Sequence, residues 1–157
     1  MVDGVRAEAA HRAAPRREDA AAAESFRRHL RKAVLAEAES MLRESAPVLA
    51  ELGLRTKSTP EEARVEAIPG GRLPEAHPPW LLVRTRDPGY PGARVVVLEV
   101  TWRVDDPRTP LPEAPCTIRH VSGDDSAAGI AEVRDFLGMA LEDFAASVAK
   151  HDALPRT

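Results

Sequence analysis

An α+β fold is predicted, in which a long N-terminal and a long C-terminal helix cover one face of an antiparallel meander. The meander has four strands, or five if Leu54 to Thr59 is also extended. Three observations lead there. Eleven of the fourteen prolines lie between Pro60 and Pro115, while Arg16 to Ala46 and Cys116 to Leu154 contain none. An interior proline costs a helix about 3 kcal/mol, so long helices belong to the two ends. Apolar residues recur at three- and four-residue steps at those ends and alternate in between.

The first helix is expected over Glu18 to Ser45, where Phe26, Leu30, Ala33, Val34, Ala38, Met41 and Leu42 form one stripe. Pro47 suits the first turn of a short second segment through Val48, Leu49 and Leu52, capped by Gly53. A strand over Val48 to Arg55 competes with that segment. Residues 1–17 are small, charged and without an apolar face, and they are expected to form a disordered or frayed arm ahead of a single domain over 18–154. At the other end, Ser122 to Ser126 offers side-chain oxygens to cap free amides. A helix through Ile130, Val133, Leu137, Leu141, Phe144 and Val148 follows. Gly129 and Gly138 inside it point to a close approach by a neighbour.

Four strands are read between the helices, near Arg64 to Ile68, Trp80 to Arg86, Arg94 to Val104 and Cys116 to Val121. Pro69-Gly70-Gly71, Asp87 to Gly92 and the proline-rich stretch Asp106 to Pro115 separate them. Along the third strand, Val96, Leu98, Val100, Trp102 and Val104 form one row, and Val95, Val97, Glu99, Thr101 and Arg103 the other. The even-numbered row is therefore core. The same alternation turns Val65, Leu81, Val83, Cys116 and Ile118 inward, with Cys116 a buried thiol.

The opposite face then gathers Arg64, Arg84, Arg86, Arg103 and Arg119 against Glu66 and Glu99, in a chain of net charge −3. Guanidinium forks match carboxylates and phosphates, so the face is a candidate partner-binding surface formed by Arg64, Arg84, Arg86, Glu99, Arg103 and Arg119, with Trp80 as an anchor at its rim. The competing reading is a solvated surface of cross-strand pairs, each worth about 0.2 to 1 kcal/mol. A protein partner or a second copy of the chain is expected there, at the face or at a strand edge, with nucleic acid as the weaker expectation.

Chemistry-bearing patterns are sparse. His11, His29, His77, His120 and His151 are scattered, and Cys116 stands alone, about 13 Å along the strand from His120. No phosphate-cradling glycine motif or serine elbow occurs. No catalytic residue, metal or cofactor is therefore expected. No segment has the apolar length of a membrane span or of a secretory leader, which makes the cytoplasm the expected location. Arg27, Arg28, Arg31 and Lys32 are diluted by Glu24, Glu37 and Glu39 and read as a solvated helix face. Asp105 to Pro112 contains a P-x-x-P spacing and reads as a rigid connection.

Asp87, followed twelve residues later by Glu99-Val100-Thr101 on an apolar strand, loosely resembles the PD-(D/E)xK nuclease family over Leu82 to Phe144. That resemblance implies a divalent metal held by Asp87 and Glu99. Thr101 stands where the family has its lysine, and a hydroxyl supplies no ammonium. The expected function is a non-catalytic interaction or adaptor module, a subunit or small regulator. The alternatives are an active or degenerate nuclease of that type, or a small-ligand carrier with a pocket between helices and sheet.

Overall fold

The computed structural model describes residues 2–106 and 108–152, with side chains from Asp19 to His151. The elements run α1 (Val2–Glu51), β1 (Leu54–Ser58), β2 (Glu62–Ala67), β3 (Trp80–Arg86), β4 (Val96–Arg103), β5 (Cys116–Ser122) and α2 (Ala127–Asp152). The strands form one antiparallel sheet in sequence order, and both helices lie on the same face of it.

β4 runs through the core because its even-numbered row is apolar. Val96, Leu98 and Val100 are fully buried, with Val65, Leu81 and Val83 beside them on β2 and β3. From α1 come Ala23, Leu30, Val34, Ala38, Leu42 and Leu49, and from α2 Val133, Leu137, Ala140, Phe144 and Val148. Each set follows the helical period, so two helices side by side meet a flat apolar floor. Ser126 caps α2, its Oγ accepting the Gly129 N–H at 3.2 Å. A Cβ at Gly129 would stand 2.5 Å from the Asp124 carbonyl oxygen, and that crowding accounts for the glycine.

Three expectations, at Pro47, at Val48 to Arg55 and at Cys116, are corrected or displaced. The break at Pro47 does not occur: α1 continues to Glu51, and the burial of Leu49 in its last turns offsets what the missing amide costs. Gly53 closes that helix at a φ of 82°, with its amide donating to the Ala50 carbonyl at 3.0 Å. The arm expected over residues 1–17 falls on the start of α1, where the backbone is helical from Val2 and the side chains lie outside the described residues. Leu54 to Ser58 is a true fifth strand, which excludes the alternative strand over Val48 to Arg55. Cys116 is exposed, because the first residues of the edge strand β5 extend past the cover of the helices.

Arg27 and Arg31 also depart from the solvated helix face. Arg27 is buried and donates from Nη1 to the carbonyls of Pro91 (3.0 Å) and Ala93 (2.6 Å), with its Nε 3.5 Å from Asp87. Arg31 donates to the same Asp87 carboxylate. The two side chains fasten the β3–β4 connection to α1.

Candidate functional site

The sheet face away from the helices is built by strand register. Trp80 stands opposite Glu66 and Arg103, Leu82 opposite Arg64 and Thr101, and Arg84 opposite Glu62 and Glu99. Glu99 in turn faces Arg119, Val97 faces Val121, and Arg55 and Lys57 of β1 face Glu66 and Arg64. All seven residues expected on this face therefore share it. Arg55 and Lys57 extend it by one strand.

Its centre is Glu99. The side chain is only 3% exposed, although it points away from the core, because three arginines lie over it. Arg84 reaches Oε1 with both Nε and Nη2 at 3.1 Å. Arg119 Nε reaches Oε2 at 3.1 Å, and Arg86 Nε lies 3.5 Å from the same oxygen. Burial alone would raise the Glu99 pKa. Hydrogen bonds from Arg84 and Arg119 and the charges of Arg86 and Arg84 outweigh it, so the carboxyl titrates below the usual glutamate value of 4.5. Glu66 behaves alike: the burial effect is overcome by Arg55 and Lys57, at 3.0 and 3.4 Å.

Arg64 and Arg103 do not join the central cluster. Arg64 pairs with Glu62 at 3.3 Å and Arg103 with Asp105 at 3.3 Å. Internal charge pairing, across strands at Glu99 and Glu66 and between residues two apart at Arg64 and Arg103, is thus a large part of what the face does. Cations nevertheless outnumber carboxylates, with Arg55, Lys57, Arg64, Arg84, Arg86, Arg103 and Arg119 set against Glu62, Glu66 and Glu99. Trp80 is half-buried and lines, with Leu82, Pro78 and Arg64, an open groove of about 400 Å³ at one end of the face.

The pair singled out by the nuclease resemblance is not assembled. Asp87 is held from the helix side by Arg27 and Arg31, and Glu99 lies under its own three arginines. Among the described residues no group of three or more His, Cys, Asp or Glu side chains could hold a metal ion, and no helix is long and apolar enough to cross a membrane.

Sequence reasoning missed Arg55 and Lys57, whose signal was the alternation of Leu54 and Thr56 with charged neighbours. It also missed a second concavity beyond the sheet's end, between the loops 68–79 and 104–115 and the last turn of α2. The pocket expected of a ligand carrier was placed between helices and sheet, where core side chains pack. No protein-family model, curated protein or solved structure significantly matches the chain.

Proposed function

We propose that the uncovered sheet face receives an acidic, extended segment of a partner protein, making the chain a non-catalytic interaction module. One observation carries the reading: three guanidiniums converge on a single buried carboxylate. Each guanidinium has five N–H donors, far more than two carboxylate oxygens can accept, and the Arg86 and Arg119 side chains are 55 and 60% exposed. The surplus donors and charge suit a second carboxylate from outside.

A peptide strand fits this face better than a nucleic acid. Trp80 is the one aromatic ring on it, carboxylates are interspersed among the cations, and the chain's net charge of −3 opposes a polyanion at longer range. Among the described residues the outer side of β5 pairs with no further strand, so an incoming segment can add main-chain hydrogen bonds there.

The test is fluorescence anisotropy with a dye-labelled peptide alternating Glu and Val. Changing Arg64, Arg86 and Arg103 together to Gln leaves Arg84 and Arg119 on Glu99. It should weaken binding at least tenfold while thermal unfolding stays nearly constant. Unchanged affinity would remove the face from consideration.

A further inference from the structure

The arginine cluster on Glu99 and the groove beside Trp80 are separate features of one sheet face, and strand register sets the distance between them. Arg84 and Trp80 are four residues apart on β3, about 13 Å at the extended rise. Arg119 lies two strands across from Arg84, which adds about 10 Å sideways. The backbone at Trp80 is therefore about 16 Å from the backbone at Arg119, the span of about five extended residues. Between them, β3, β4 and β5 carry the neutral row Leu82, Thr101 and Thr117. The two threonine hydroxyls are joined at 3.1 Å. A segment can cross that row without desolvating a charge.

The groove itself selects an apolar group. Pro78, Pro79, Trp80 and Leu82 line it together with Arg64 and Glu66. Both of those charges are already paired, Arg64 with Glu62 at 3.3 Å and Glu66 with Arg55 and Lys57 at 3.0 and 3.4 Å. What the groove has left to offer is apolar carbon and the half-exposed indole ring. Pro78 and Pro79 fix φ immediately ahead of Trp80, so the backbone that carries the ring is stiffened before anything arrives. Tryptophan and arginine are the side chains that most often dominate binding at an interface, and this face holds both at a fixed separation.

We infer that the acidic segment, whose docking on this face is proposed above and on which this inference rests, also carries one large apolar side chain about five residues from its acidic group, seated in the groove against Trp80. The arginines receive the charge and Trp80 reads the spacing. Trp80 is thus a specificity-determining residue for the partner.

The experiment is fluorescence anisotropy of the full chain with dye-labelled peptides in which a Glu pair and one Phe are separated by four Ser residues, made in both chain directions. Two control peptides for each direction have Phe next to the Glu pair, or Ser in place of Phe. In one direction the spaced peptide should bind about tenfold tighter than either control, the gain expected from burying one aromatic side chain. Trp80→Ala should remove that difference while leaving the affinity for the Phe-free peptide within about twofold and the unfolding temperature unchanged, whereas Trp80→Phe should keep most of it. Tryptophan emission should move to the blue when the spaced peptide binds the parent chain, and not when it binds Trp80→Phe. Equal binding of the spaced and Phe-free peptides overturns the anchor and leaves acidic docking standing, as does a preference for the spaced peptide that survives in Trp80→Ala. Binding by none of the peptides overturns the docking and the anchor together.

Discussion

Removing the arginines from Glu99 singly and then in pairs gives a prediction with a definite magnitude. Arg84→Met takes away a hydrogen bond from Nε at 3.1 Å and the ion-pair approach of Nη2 at the same distance. Charge-assisted bonds are worth about 1.5 to 3 kcal/mol when shielded, but Arg84 is 42% exposed, and solvent screening brings the expected loss to about 1 kcal/mol. Arg119→Met, from a side chain 60% exposed, should cost about as much. The double variant is different in kind. Its methionine stems still cover Glu99, while the carboxylate keeps only Arg86, 3.5 Å away. A buried charge stripped of its partners costs about 3 to 5 kcal/mol, so the double variant should lose about 3, more than the single losses combined. Adding Glu99→Met to that background should restore most of the loss, since a matched apolar set replaces a buried ion cluster at little cost. Urea unfolding at neutral pH reads all four variants, with the slope constant throughout. Strictly additive losses, or no recovery from Glu99→Met, would refute the argument that Glu99 is a desolvated charge held by its neighbours.

Because the Glu99 and Glu66 pKa values are depressed by folding, their stabilisation is complete above the unfolded value of about 4.5 and is lost as pH falls below it toward the folded values. Glu99→Gln should flatten the acid limb of the stability curve, measured by urea unfolding at stepped pH. Arg27→Met should cost about 2 kcal/mol by leaving the Pro91 and Ala93 carbonyls short of a donor, and amide hydrogen exchange should quicken in the β3–β4 connection before it does elsewhere. Phe144→Ala, at the largest fully buried side chain, should cost about 3 to 5 kcal/mol by chemical denaturation, and Ser126→Ala about 1 kcal/mol through loss of the α2 cap.

The parts of the fold legible in the sequence were those where burial imposes a period. Val96, Leu98 and Val100 alternate without interruption, and Val133 to Val148 keep the helical step, so β4 and α2 could be placed from residues alone. The trace of β1 is fainter, since an edge strand buries little and Leu54 is its one fully buried side chain. Pro47 misled because propensity is local, whereas the last turns of α1 are held by Leu49 in the core. Cys116 has inward parity, but no helix reaches over it. Parity likewise placed all seven face residues together. It could not show that Arg84, Arg86 and Arg119 share one carboxylate while Arg64 and Arg103 turn to near neighbours, because that choice depends on side-chain reach across strands. The burial of Arg27 was invisible for the same reason, as its partners lie 64 and 66 residues away.

The docking role of the bare β surface is tested most directly by mapping where an acidic strand settles. Amide and arginine side-chain NMR signals of the full chain, followed during addition of the alternating Glu–Val peptide, should move at Arg84, Arg86, Arg119 and along the β5 edge, leaving α1 and α2 unchanged. Movement confined to the helices, or signals that respond to single-stranded DNA and ignore the peptide, would contradict the account.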